Sequence, residues 1–134
     1  MGQRRQSREL ALQVLFQQEF DPHLDVRDGL DTFKKSFDSE PETWSYALEL
    51  LTGISVKKKE IDGIIQAQSS HWSLSRMSLV DLNIMRVAVF ELRFTNDAIP
   101  TSVAIDEAIE ISKKYSATDS AAFVNGILDQ IVKT

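Results

Sequence analysis

The sequence predicts an all-α protein of six or seven helices in two packed subdomains, on three observations. Every apolar pattern of useful length repeats at three- and four-residue spacing. No stretch alternates with period two. The prolines and polar clusters fall between the periodic segments. With 134 residues, 43% hydrophobic and 26% charged, the chain fits one domain around one shared core and is too apolar for a disordered segment. The boundaries expected are one domain over 1–134, with an N-terminal subdomain at about 1–70 and a C-terminal one at about 75–134.

The first helix spans residues 3–20, with Leu10, Ala11, Val14 and Leu15 as its core stripe and Asp21-Pro22 as its stop. The second, residues 26–37, repeats Val26, Leu30, Phe33 and Phe37, with Asp25 placed to cap it and Gly29 weakening its middle. Pro41 suits the first turn of the third, whose stripe runs Ala47, Leu51, Ile54, Ile61, Ile65. That pattern fits one long helix or two joined between Gly53 and Lys59. Ser69, Ser70 and His71 read as a connector between subdomains. Ser78 and Asp81 resemble a capping box opening a helix over 79–94, apolar on nearly all sides and so expected to be the most buried element. Pro100-Thr101-Ser102 starts a helix ending near Tyr115. Asp119-Ser120 starts the last, with Phe123, Val124, Ile127, Leu128 and Ile131 inward.

Composition removes several function classes. The chain has no cysteine, which excludes disulfides, thiol nucleophiles and cysteine-ligated metals. No uncharged apolar run approaches the ~18 residues of a membrane span. Glu9 and Gln13 interrupt what would have to be a signal-peptide core, so a cytoplasmic location is expected. His23 and His71 lie in separate connectors, and no metal site is expected. The five glycines are too scattered to cradle a phosphate, and no nucleophile elbow occurs. Neither a catalytic residue nor a cofactor is expected.

The net charge of −5 conceals an asymmetry. Arg4, Arg5 and Arg8 stand without an acid in residues 1–8, whereas residues 9–56 hold three bases against ten acids. Cations at a helix start oppose the macrodipole, a penalty that a bound anion would remove. At 100° per residue Arg4 and Arg8 lie one turn apart, with Arg5, Leu12 and Phe16 in a narrow wedge beside them. Guanidinium groups grading into a ring suit single-stranded RNA. By residue type alone, Phe16 and Phe123 read more readily as core than as base-stacking rings. Arg86 lies inside the apolar helix and must be paired there, with Glu91 or the Asp106-Glu107 pair as partner. Asn125-Gly126 is a costly helical pair: Gly126 implies a close helix approach, and Asn125 either satisfies backbone or contacts a ligand. Lys113 and Lys114 add charge at that end.

Four segments in this order, RRQSRELALQVLFQQE, LVDLNIMRVAVFELRF, IPTSVAIDEAIEISKKY and FVNGILD, resemble the NusB family of transcription antitermination factors over nearly the whole chain. The resemblance implies an all-helical fold of two small subdomains and a non-enzymatic RNA-binding role. It implies pairing with the small-subunit ribosomal protein NusE, binding of single-stranded boxA RNA in nascent ribosomal RNA leaders, and a link from that RNA to elongating RNA polymerase that suppresses termination. A monomer and a homodimer both stay open for the free chain.

By position, Arg4, Arg5 and Arg8 match the family's arginine-rich RNA-contacting helix, and Phe16 an aromatic site that is often tyrosine. Asp119, Phe123 and Asn125 match the C-terminal part of the RNA face, and Asp81 an acidic position of the surface for the ribosomal partner. The sequence departs from the family pattern at Ala122, where a basic residue is frequent, and at Asp106, where asparagine is usual. Two rival readings are a helical protein–protein adaptor whose arginines meet an acidic patch, and an RNA-binding module of the kind fused to ribosomal RNA cytosine methyltransferases. The lack of a methyl-donor motif weighs against the second.

Overall fold

The structure, a computed structural model, describes residues 2–36, 38–69, 73–95 and 98–134. Among the described residues six helices follow one another: α1 (Gly2–Phe20), α2 (Val26–Lys34), α3 (Pro41–Ala67), α4 (Leu79–Arg93), α5 (Thr101–Tyr115) and α6 (Ser120–Lys133), with one 3-10 turn at Leu74–Arg76. No strand occurs among the described residues. Phe37, expected at the end of the second helix, and Ser70 and His71 of the expected connector lie outside the described residues.

The helix starts follow local chemistry. Asp25 Oδ1 accepts from the Arg27 and Asp28 amides at 2.8 and 3.3 Å, satisfying two of the orphan donors of α2. Pro41 occupies the first turn of α3, where its missing N–H costs nothing. Ser78 Oγ accepts from the Asp81 amide at 3.2 Å and caps α4. Asp119 holds the N-cap position of α6 with no side-chain hydrogen bond.

α3 is one continuous helix of 27 residues, which resolves the two alternatives for that segment. Gly53 sits in its middle because α4 comes very close there. A Cβ at that position would lie 2.3 Å from Cε1 of Phe90. The close approach inferred for Gly126 is absent: a Cβ there would meet nothing within 4 Å, and the residue is exposed.

α4 is the central element. Every residue from Asp81 to Glu91 is buried, and the helix packs on α1, α3, α5 and α6. One hydrophobic cluster runs through all six helices, with Val14, Leu50, Leu51, Ile54, Ile61, Ile65, Met85, Val89, Val124, Leu128 and Ile131 fully buried. α1 and α2 pack on α3, and α5 packs on α6.

Arg86 is buried as expected, but its partners differ. Its Nε and Nη2 donate to the two oxygens of Asp62 at 2.8 and 2.9 Å, and Nη1 donates to Glu19 Oε2 at 2.8 Å and to Asn83 Oδ1 at 2.9 Å. Glu91 cannot join it: five residues on, it points about 140° around the helix. The Arg86 cluster instead stitches α1, α3 and α4 together. Burial alone would lower the Arg86 pKa, but Asp62 and Glu19 outweigh it and hold the guanidinium charged.

Candidate nucleic-acid interface

α1 carries the predicted arginines, and packing sends them to three different places. Arg4 is exposed, with its guanidinium carbon 3.9 Å from the centroid of the Tyr46 ring on α3, a cation–π contact. Arg5 turns the other way, toward α5. Its Nε and Nη2 donate to the two carboxylate oxygens of Glu107 at 3.0 and 2.5 Å, with 40% of its side chain still exposed.

Arg8 corrects the expectation of an exposed trio. It is 4% exposed, its Nε donates to both oxygens of Glu91 at 2.9 Å, and its Nη1 donates to Glu107 at 3.1 Å. The reason is helical phase: Arg8 shares its face with Ala11, Leu12 and Leu15, all buried. The Tyr46 hydroxyl also donates to Glu91. Burial, with that bond, pushes the Tyr46 hydroxyl pKa well up. The Arg5 hydrogen bond, against the effect of burial, holds Glu107 below the usual carboxylate range. Arg5 and Arg8 are thus matched by Glu91 and Glu107, and most of the local positive charge read from the sequence is cancelled inside the fold.

The aromatic half of the site is more open. Phe16 is half-buried, in edge contact with Phe20 at 5.2 Å between ring centroids, and Phe20 is 69% exposed. Phe16 lines a recess of about 300 Å³ with Leu12, Gln13, Phe33, Val80 and Tyr115. A second recess of about 250 Å³ is lined by Arg76, Ser78, Asp81, Asp119, Ser120 and Phe123. The first turn of α4 forms a wall of both, through Val80 on one side and Ser78 and Asp81 on the other. The fold therefore places Phe16 and Phe123 in neighbouring recesses at the same end of α4, with Asp119 exposed at the rim of the second. Asn125 does not join them. It is exposed, about 200° around α6 from Phe123.

Asp81, matched by position to the surface for the ribosomal partner, is sunk into the fold. It is 6% exposed, and its carboxylate accepts from Ser116 Oγ at 2.6 Å and Ser120 Oγ at 3.0 Å. It ties the start of α4 to the α5–α6 turn, which shapes the second recess.

Sequence reasoning missed Glu9. Its Oε1 accepts from Lys114 Nζ at 2.9 Å and from the Tyr115 hydroxyl at 2.8 Å, fastening α1 to the end of α5. The signal was present, since Glu9 lies one turn after Arg5 in the same wedge as Phe16. Among the described residues no group of three or more acidic or histidine side chains is arranged to hold a metal ion, and no helix is long and apolar enough to cross a membrane.

Comparison with known proteins agrees with this architecture. The family model described as the NusB family matches residues 5–133. The transcription antitermination protein NusB of Bdellovibrio bacteriovorus is 52% identical over 130 residues, covering 97% of this chain and 95% of its own. T. maritima NusB superposes with a TM-score of 0.86 at 40% identity, over 97% of this chain and 90% of that one. A chain from a crystal structure of antitermination factors NusB and NusE in complex with dsRNA superposes with a TM-score of 0.86 at 25% identity, over 99% and 98% of the two chains. With a family model spanning almost every residue and a relative identical at half of its positions, the chain belongs to the NusB family of antitermination factors.

Proposed function

We propose that this chain is a non-enzymatic RNA-binding antitermination factor of the cytoplasm. With NusE it binds single-stranded boxA RNA in a nascent ribosomal RNA leader and links that RNA to RNA polymerase, suppressing termination. The observation that carries the reading is the pair of recesses at one end of α4, which hold Phe16 and Phe123, with Arg5 roughly 16 Å along the same side of α1 from Phe16. The homologous NusB chain in the complex with NusE and dsRNA supports NusE as partner and RNA as the nucleic acid; the choice of a single strand rests on the aromatic recesses.

In this mechanism no bond is made or broken. Glu107 fixes the Arg5 fork through Nε and Nη2, so the guanidinium is oriented in advance and offers its Nη1 edge to a phosphate. Arg4, about 100° around α1 on the Tyr46 side, adds a second positive charge to this end of the helix. Unstacked bases enter the recesses and lie against Phe16 and Phe123, and the Asp119 carboxylate at the rim accepts from base N–H groups. Arg8 acts from beneath, holding Glu107 where Arg5 needs it. So few exposed cations on a body of charge −5 give modest affinity alone, and NusE adds surface and further phosphate contacts. The aromatic recesses favour a single strand over a duplex, whose bases are stacked away.

Fluorescence anisotropy of a labelled single-stranded leader RNA, titrated with the chain alone and with the chain plus NusE, tests the reading. Binding that strengthens with NusE and is not displaced by excess duplex is expected. No binding by the pair in low salt removes the RNA role and favours a protein–protein adaptor. Displacement by the duplex moves recognition to helical RNA.

A further inference from the structure

Arg5, Glu9 and Phe16 lie within about 40° of one another on α1, so a strand running from the Arg5 edge to the Phe16 recess must pass over the Glu9 carboxylate. A carboxylate on a phosphate path is unfavourable by charge alone, and Glu9 is already engaged with two groups of α5, Lys114 and Tyr115. The two carboxylates that pair α1 with α5 differ in how firmly they are held. Glu107 is locked between Arg5 and Arg8 and is 8% exposed in its side chain. Glu9 is 16% exposed, both of its hydrogen bonds fall on Oε1, and the Lys114 side chain is 60% exposed on a flexible stem. A pair of this kind is weak and screened by salt.

We propose that Glu9 is a built-in counter-anion: it occupies Lys114 in the free protein, and an RNA phosphodiester group must displace it to reach that lysine. This deepens the reading above and rests on it. A phosphate arriving at Lys114 exchanges one anion for another and leaves the Glu9 carboxylate uncompensated nearby, so Lys114 contributes almost nothing to binding while Glu9 is charged. The consequence is selectivity, because a polyanion without bases to fill the two recesses gains little along this edge.

The test is anisotropy titration of labelled single-stranded boxA leader RNA with NusE, using wild type, Glu9→Gln, Lys114→Ala and the double variant. Glutamine keeps an oxygen to accept from Tyr115 and loses only the charge. Glu9→Gln should bind more tightly than wild type, Lys114→Ala should bind within about twofold of it, and Lys114→Ala in the Glu9→Gln background should erase the gain. One added phosphate contact on a single strand steepens the logarithmic salt slope by about 0.7, so the advantage of Glu9→Gln should shrink by about 2.6-fold between roughly 50 and 200 mM salt.

Unchanged or weaker binding by Glu9→Gln while wild type binds overturns the proposal, as does a gain that survives loss of Lys114 or ignores salt. A strong loss in Lys114→Ala alone also overturns it, because the lysine would then already be engaged by RNA in the wild type. Failure of wild type to bind the RNA at all removes the RNA reading itself and the proposal with it.

Discussion

Removing the Arg8 guanidinium leaves the Glu91 and Glu107 carboxylates buried with Arg5 as the one remaining arginine against them. Among the described residues Glu91 is then held by the Tyr46 hydroxyl alone, deep between α1, α3 and α4. The Arg8 and Glu91 side chains are 5% and 1% exposed, so solvent screening gives little relief. Breaking a buried pair by deleting one partner costs about 3–5 kcal/mol. A chain of 134 residues unfolds with an entropy near 0.28 kcal/mol/K, at about 2.1 cal/mol/K per residue, so Arg8→Ala should lower the melting temperature by about 11–18 °C. Circular dichroism melts of wild type, Arg8→Ala and Arg4→Ala measure this, with the exposed Arg4→Ala expected within about 2 °C of wild type. If Arg8→Ala melts with Arg4→Ala, the arginine is not buried and belongs with the surface cations after all. A double-mutant cycle with Glu91→Ala should return a coupling energy of about 1–3 kcal/mol, as expected for directly paired groups.

Asp81→Lys should destabilise the fold as well as disturb the second recess, because it inserts a cation where two serine hydroxyls face a buried carboxylate; a melt like wild type would return Asp81 to the surface. Gly53→Ala should cost about 1–3 kcal/mol by forcing the Phe90 ring out of contact, read as a lower urea midpoint at constant slope, and an unchanged midpoint would mean that the ring moves freely. Acid should destabilise through Glu107, held below 4.5 by the Arg5 hydrogen bond, and through Glu19, where the Asn83 hydrogen bond and Arg86 outweigh burial. A lowered folded pKa adds stability that is present above about pH 4.5 and lost as pH falls below it. The raised Tyr46 pKa adds stability that is present below about pH 10 and lost above it, so the melting temperature should fall at both ends of a pH series.

The fold was legible in the sequence wherever the information was local. Pro41, Ser78 and Pro100 mark helix starts by their own backbone chemistry, and the unbroken apolar character of the fourth helix announces its burial. Of the candidate site, the position of two residues was legible: the rings at residues 16 and 123, grouped by the family resemblance, lie at the same end of α4. What could not be read depends on which helix meets which. A helical wheel places Arg8 beside Arg4, yet the docking of α1 on α4 and α5 decides that one is sunk among carboxylates and the other lies on a ring. The same holds for Arg86, whose carboxylate partners come from α1 and α3 and not from Glu91 or the Asp106-Glu107 pair, and for Asp81, whose serines arrive from a turn 35 and 39 residues away. Gly126 shows the opposite failure: a residue costly in a helix suggested tight packing, and it faces solvent instead.

The location of the RNA path is open to direct measurement by amide chemical shifts of the isotopically labelled chain with NusE, as single-stranded boxA leader RNA is added. The largest changes should fall on Arg4, Arg5, Phe16, the first turn of α4 and residues 115–123, with Arg8 shifting less than Arg5. Changes gathered instead on the outer face of α2 and α3, with the first turn of α4 silent, would contradict the assignment of the two recesses to RNA.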